Sequence, residues 1–458
     1  MKALHKIFII STCCLFFLSC DKFLEVDPPK TSLVPGTLFA DDNAATGAVS
    51  GIYLKLRTDN RIGSLRLTIL PGFCADELTY SGATYDEFIN NRISVDNSPV
   101  VQAWTGAYDI IYQSNACLQG LQLSTGLSAP VKTQLMGEVY FLRAFTYFYL
   151  VNLFGDVPIV TGTDYELNAF APRSPVQAVM AQITDDCRQA KNLLPAAYIS
   201  SERIRPNKFA AAALLARVHL YSGRWAEAES ESSDVITSGL YTPLTTVEGV
   251  FLKASKETIW QLSTQTLTAA NNMNTFEGNH FIPLNAASIP LYTLTNNLVD
   301  AFETGDARKT NWIQHNLIGG TAYHYPFKYK VRTNTVNTEY PVLLRAAEQY
   351  LIRAEARARQ EKTEDAVEDI NVIRTRASLP ELSSLIDNNT CLLAIEKERR
   401  FEFFAEMGHR WFDLKRTNRA DEVLRPVKPH WQPSATLWPI PRNEIVLNPK
   451  LTQNAGYQ

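Results

Sequence analysis

Small residues at helical spacing limit what this chain can fold into. In KFAAAALLARVHLYSGRWAEAESESSDVITSG, residues 208–239, Phe209, Ala212, Ala213, Ala216 and Leu220 recur three and four apart, which marks one face of a helix. Alanines on that face let a second helix come close. Gly223 breaks the first helix with a residue that tolerates positive φ, and Trp225, Ala228 and Ile236 continue the apolar face on a returning helix that ends at Gly239. The segment is a helical hairpin. Leu344, Ala347, Leu351, Ala354 and Ala358 repeat the spacing. After a turn opened by Thr363, with Glu364 and Asp365 placed where acids suit the helix dipole, Ala366, Ile370, Ile373 and Ala377 repeat it again until Pro380.

Hairpins of about 34 residues with small residues at the crossing resemble tetratricopeptide repeats. The two hairpins are separated by a long insertion, so they have to stack in space. Helices are also predicted over 41–57, 99–122 and 131–154, the last closed by Gly155 and Pro158. Residues 61–96 read as irregular and aromatic-bearing. The insertion, about 241–340, is rich in Asn, Thr and turn residues with short apolar runs, and reads as loops with a few short strands. The expected fold class is therefore mainly α: tetratricopeptide-like hairpins with a loop-rich insertion, forming a single α-rich domain over 41–458.

The first nineteen residues are a separate object. Lys2 and Lys6 precede an apolar run, Ile7 to Leu18, that is too short for the roughly 20 residues of a membrane span. Phe17-Leu18-Ser19-Cys20 resembles the end of a bacterial lipoprotein signal, which implies cleavage after residue 19 and lipidation of Cys20. Several acyl chains anchor stably because each buried CH₂ contributes about 0.8 kcal/mol. The alternative is a secretory signal with a coincidental cysteine. Pro28, Pro29 and Pro35 make 20–40 an extended tether. Cleavage leaves 42 basic against 47 acidic residues, a net charge of −5, with no field to recruit nucleic acid or an anionic membrane. Contact with a membrane is expected through the N-terminal lipid alone. With 45% hydrophobic and 20% charged residues, disorder and collagen-like structure are excluded. Cys74, Cys117, Cys187 and Cys391 are widely spaced without a CxxC pair, which argues against zinc-ribbon or thioredoxin chemistry. An oxidising compartment would permit a disulfide that the sequence does not pair.

Chemistry-bearing residues concentrate in two segments. The insertion holds Trp260, Tyr292, Trp312, Tyr323, His324, Tyr325 and Tyr329, with Asn296 and Asn297 near Tyr292 and Gln314 near Trp312. The early segment holds Asp76, Glu77, Tyr80, Tyr85 and Asn90. A sugar presents apolar C–H faces and a rim of hydroxyls, so a non-catalytic glycan site needs aromatic plates edged by Asp, Asn, Arg or Gln. Candidate ligand-binding residues are Asp76, Glu77, Tyr80, Tyr85, Tyr292, Asn296, Trp312 and Tyr325. Any single ring more often fills a small core beneath a loop, so the case rests on the cluster. Trp104, in helical register with Tyr108, Ile111 and Tyr112, reads as core, and Trp411 and Trp438 as packing.

Enzymatic readings find little to stand on. Glu402, Glu406 and His409 fall on one helix face and contain the ExxH pair of di-iron bundles, but the second such pair, Glu277 and His280, lies in NNMNTFEGNH, which reads as a loop. The charges of 395–416 are otherwise expected to pair along one helix, Glu396 with Arg400 or Arg399 with Glu402. Glycosidase carboxylates could be drawn from Asp76, Glu77, Asp86 and Glu87, but the sequence does not show their separation. HExxH, GxSxG, P-loop and GxGxxG motifs are absent. No catalytic residue, metal site or cofactor is expected.

The segments EVYFLRAFTYFYLVNLFGDVPIV (138–160), 208–239, AEQYLIRAEARA (347–358), IEKERRFEFFAEMGHRWFDLKR (395–416) and LWPIPRNEIVLNPKLTQNAGY (437–457) together look like the SusD/RagB family, and CDKFLEVDPP (20–29) agrees. The resemblance spans the mature chain. It implies an outer-membrane lipoprotein of Bacteroidetes-type bacteria facing outwards, and a TonB-dependent SusC-like barrel as partner. It also implies capture of a glycan or oligosaccharide without catalysis. The alternative is an exported helical-repeat protein that binds peptides or a protein partner.

Overall fold

The computed structural model describes residues 38–58, 65–264 and 273–458; the signal sequence, Cys20 and the tether up to residue 37 lie outside the described residues. Helix α1 (Asp42–Leu56) starts on Asp41, whose Oδ1 accepts from the amides of Asn43 and Ala44 at 2.9 Å. Helix α2 (Leu65–Cys74) occupies part of the stretch expected to be irregular. All of its residues except Arg66 are buried, Pro71 included, so no polar face exists for a periodicity argument to detect. The short strand β1 (Leu78–Tyr80) follows. Helices α3 (Ser98–Leu123), α4 (Ala129–Phe154), α5 (Val176–Leu193), α6 (Lys208–Tyr221) and α7 (Trp225–Thr237) then pack each on the next. Trp104 is buried on α3, as its spacing predicts.

The insertion contains strands β2 (Thr258–Gln261), β3 (Tyr292–Leu294), β4 (Ile313–Ile318) and β5 (Thr321–Pro326), and β6 (Val342–Arg345) follows it. It also contains three short helices that the sequence reading assigned to loops: α8 (Phe276–Phe281), α9 (Asn296–Ala301) and α10 (Ala307–Trp312). In α8, Thr275 Oγ1 accepts from the Gly278 amide at 2.9 Å, and this cap outweighs the poor propensity of Gly278 and Asn279. Strands among the described residues form three antiparallel pairs. β2 pairs with β6 and closes the neck of the insertion, β4 and β5 form a hairpin, and β3 pairs with β1 of the early segment.

Past the neck the helical stack resumes. Helix α11 (Ala346–Ala358) packs on α7 and on α12 (Thr363–Arg376), and α13 (Asn388–Phe403) packs on both α11 and α12. Leu344 belongs to β6 rather than to the helix. Ala216, Leu220 and Ala228 from the first hairpin meet Ile352 and Ala356 in one apolar cluster; Ala354, Ala358, Ala366, Val367 and Ile370 form the next with Cys391 and Ile395 of α13. Each large aliphatic side chain buried there contributes roughly 1.5–3 kcal/mol, and the alanines set how near the helices lie. The two hairpins thus stack across the insertion.

The segment 395–416 is not one helix. Ala405, Met407 and Gly408 adopt φ of 50°, 44° and 73°, and α14 (His409–Arg416) starts in a new direction. Its charges also pair elsewhere than expected. Arg399 Nε binds Asp413 at 2.8 Å, Arg400 reaches Asp76 at 2.8 Å, and Glu396 receives Arg410 at 3.2 Å. Cys74, Cys117, Cys187 and Cys391 are free thiols, all buried. Burial pushes the Cys74 thiol up to about 12. Trp411 and Trp438 are fully buried.

Candidate functional site

The β1–β3 ladder joins the two segments singled out in the sequence. Its register places Tyr80 opposite Tyr292, Thr79 opposite Thr293 and Leu78 opposite Leu294. Tyr85, next to a one-turn helix over 86–89, turns back onto this pair. Ring centroids of Tyr80 and Tyr85 lie 4.9 Å apart, Tyr80 and Tyr292 5.1 Å, and Tyr85 and Tyr292 6.3 Å. Phe73 supports them from α2, 5.0 Å from Tyr85 and 6.2 Å from Tyr292. Tyr292 is 5% exposed, so the plates that face outward are Tyr80 and Tyr85 and their backing is Tyr292. The exposed turn Ser81–Thr84 lies beside them, with Gly82 against the Tyr80 ring, where a Cβ would come within 2.9 Å.

Helix α8 supplies a part of this cluster that sequence reading missed. His280 and Phe281 stand 6.3 and 5.8 Å from Tyr292. The following loop exposes Leu284, Ile289 and Leu291, and the Leu291 carbonyl accepts from the Ser81 amide at 2.9 Å. Apolar residues between Pro283 and Pro290 were the available signal, but they read equally well as loop filler.

At the other end of the ladder, about 10 Å along the strand, sit Asp76, Glu77 and Asn296. Thr295 joins them: its amide donates to the Glu77 carbonyl at 2.9 Å and its hydroxyl to the Asp76 carbonyl at 2.7 Å. Asn296 is exposed on the first turn of α9. Asp76 and Glu77 are buried, so neither edges an aromatic plate as the composition argument expected. Asp76 accepts from Arg410 at 2.9 Å and Arg400 at 2.8 Å; burial works against its charge, but the two guanidiniums hold it below the usual carboxylate range. Burial first, and the Asp76 charge second, push Glu77 up to about 8. Glu87 is spent on the Ser94 amide and Asn97 Nδ2, both at 2.8 Å. These carboxyl groups hold backbone and helices together, an arrangement unlike two acids flanking a glycosidic bond.

Trp312 is fully buried. Its Nε1 donates to the Val247 carbonyl at 2.9 Å, Phe251 packs 5.6 Å away, and the Lys328 ammonium lies 4.7 Å above its ring, so it is core and no plate. Tyr325 is buried on β5 opposite Gln314, with Phe327 at its edge. The candidate residues therefore divide: Tyr80, Tyr85 and Tyr292 form one aromatic cluster with Asn296 farther along the same ladder, while Asp76, Glu77, Trp312 and Tyr325 lie inside.

Glu402 and Glu406 belong to a buried ion network. Arg345 reaches Glu257, Glu402 and Glu406, Arg376 joins Glu257 and Glu402, and Arg308 joins Asp306, Glu398 and Glu402. Burial opposes the Glu402 charge, yet Arg376, Arg345 and Arg308 hold it well below the carboxylate range. Burial brings the Lys328 ammonium down to about 8 against the pull of Glu406. His409 stacks on Phe403, 4.7 Å between centroids. These groups neutralise one another, and among the described residues no three His, Cys, Asp or Glu side chains are grouped to hold a metal ion.

Comparison with known proteins follows the same outline. A family profile described as "Starch-binding associating with outer membrane" matches residues 22–220, and the SusD family profile matches 311–457. A SusD-like protein, P25, of Formosa agariphila is 25% identical, the alignment covering 99% of this chain and 98% of the relative. Among solved structures, a SusD superfamily protein of Parabacteroides distasonis superimposes with a TM-score of 0.76 at 25% identity, over 91% of this chain and 99% of that one. A Bacteroides fragilis protein described as SusD-like and carbohydrate binding superimposes with a TM-score of 0.79 at 19% identity, over 91% of this chain and all of the other, which shows the shared fold. With profiles matching both ends, relatives aligned over nearly the whole length and the same helical stack, the chain belongs to the SusD/RagB family.

Proposed function

We propose that this protein captures a glycan or oligosaccharide at the cell surface and passes it to a TonB-dependent SusC-like barrel in the outer membrane, held there by acyl chains on Cys20. The observation that carries the reading is the ladder-borne cluster of Tyr80, Tyr85 and Tyr292. Two half-exposed rings are fixed by a buried third, as stacking on a sugar face requires. A matching family profile described as starch-binding and a structural neighbour described as carbohydrate binding support the ligand class. Binding without turnover fits the internal use of Asp76, Glu77, Glu402 and Glu406. A protein partner is supported by a second surface. Tyr165, Leu167 and Phe170 are exposed near Val446 and Leu447, the two segments tied by Asn448 Nδ2 to the Ala171 carbonyl at 2.8 Å, and an apolar patch of this kind is characteristic of interaction sites. No helix among the described residues is long and apolar enough to cross a membrane.

Affinity electrophoresis through a panel of polysaccharides, followed by calorimetry with the matching oligosaccharides, tests the ligand class. Retention by one glycan, lost on Tyr80→Ala/Tyr85→Ala, is the expected result. The exposed Leu284, Ile289 and Leu291 of the loop that joins Ser81 favour a second reading, in which an apolar peptide is the ligand. Peptide binding by a chain that no glycan retards would select it over the first.

A further inference from the structure

The β4–β5 hairpin carries a feature that glycan capture does not use. Its connection is Gly319-Gly320, with φ of 59° and 83°, the two-residue turn that needs positive φ at both positions and thereby sets strand register. That register places His315 directly opposite His324. Directly opposed residues of an antiparallel pair project from the same face. The two imidazoles are 5.4 Å apart between centroids with their planes at 46°. His315 is exposed and His324 half-buried, and the Nδ1 of His324 is buried without a hydrogen-bond partner in the protein.

Imidazole nitrogens bind first-row divalent metals at about 2.0–2.1 Å, so two rings sharing a tetrahedral ion have centroids roughly 5 Å apart. The spacing of 5.4 Å meets that condition. On the other face of the hairpin, Asn316 Nδ2 donates to the carbonyls of Asn285 at 3.0 Å and Ser288 at 2.7 Å, so the hairpin props the loop that leads to Leu291 and the tyrosine cluster.

We propose that His315 and His324 form a two-histidine site for a first-row transition-metal dication, one nitrogen from each ring and water at the remaining positions. With imidazole ligands the order of affinity is Cu²⁺ above Ni²⁺ and Zn²⁺. The ion clips β4 to β5 three residue pairs from the Ile318–Thr321 pair that closes the turn, and stiffens the support of the neighbouring loop.

The test is titration of the full-length chain, purified without a polyhistidine tag, with Cu²⁺ and Ni²⁺ by calorimetry, and electron paramagnetic resonance of the copper form. One site per chain with hyperfine coupling to two imidazole nitrogens is expected. His315→Gln and His324→Gln should each weaken binding at least tenfold, and the double variant should abolish it, with circular dichroism unchanged in each and metal-free melting unchanged in His315→Gln, whose side chain is exposed. His430→Gln, a lone exposed histidine elsewhere, should leave affinity as it was. Wild-type affinity in the double variant, or coupling to a single nitrogen, would overturn the assignment. Neither outcome depends on whether the chain binds a glycan.

Discussion

If the hairpins stack across the insertion, the Arg217–Glu348 pair is the most deeply buried polar bolt between them, with Glu229 taking Arg357 and Lys362 nearer the surface. Arg217 on α6 meets Glu348 on α11 through two parallel N–H···O bonds of 2.6 Å, and its remaining nitrogen donates to the Tyr149 hydroxyl on α4 at 2.9 Å. Both side chains are at most 2% exposed, so solvent neither screens the attraction nor rescues a lone partner. Arg217→Met leaves a buried carboxylate and an unpartnered phenol. Removing one member of such a pair costs about 3–5 kcal/mol, against well under 1 kcal/mol for an exposed pair. Arg217→Met/Glu348→Leu removes both charges and fills the space with apolar atoms, which is close to neutral at comparable buried pairs. The double variant should therefore be more stable than either single one, an interaction energy of at least 2 kcal/mol in a double-mutant cycle. Urea unfolding followed by circular dichroism and tryptophan fluorescence measures all four proteins. Single-variant costs below about 1 kcal/mol, or a double variant that sums the two losses, would refute the bolt and the reasoning behind it.

Tyr80→Ala/Tyr85→Ala should reduce glycan retention at least tenfold while the melting temperature stays nearly constant, whereas Trp312→Ala should cost about 3–5 kcal/mol of stability because it empties a core site; equal effects of the two changes on melting would contradict this division. Glu77 has its folded-state value raised to about 8, above the ordinary 4.5, so its cost is absent below pH 4.5 and grows as pH rises toward 8. Glu77→Gln should thus gain stability over wild type across that window, on the order of 4 kcal/mol by pH 8, and a pH-independent difference between the two proteins would count against the buried carboxyl. At Gly408, φ is 73° and an added Cβ would lie 2.8 Å from Pro71 Cβ and 2.9 Å from the Phe412 ring. Gly408→Ala should destabilise by about 1–3 kcal/mol in denaturant titration, and an unchanged midpoint would show that the α13–α14 turn can relax.

How much was legible differs between fold and site for a physical reason. Ala212, Ala216, Ala354 and Ala358 announce their helices because 3,4 spacing is local, and small residues announce the crossing. Helix α2 escaped because it is buried on all sides, and α8 because one threonine cap outweighed two poor helix formers. Spacing along 395–416 points its charges at neighbours one turn away, but Arg308, Arg345 and Arg376 reach Glu402 from three other elements. Trp312 looked like a plate until the Val247 carbonyl and Lys328 enclosed it.

By itself the sequence determined the helical hairpins, the long helices α1, α3 and α4 and the family, since each is written in spacings of a few residues or in motifs read along the chain. Only the tertiary structure decided which rings reach the surface together. Tyr80 and Tyr292 become neighbours through a strand ladder that joins segments 212 positions apart, and the pairing of distant short strands leaves no trace in local periodicity. Burial of Asp76, Glu77 and Trp312 was settled in the same way, by what the rest of the chain laid over them.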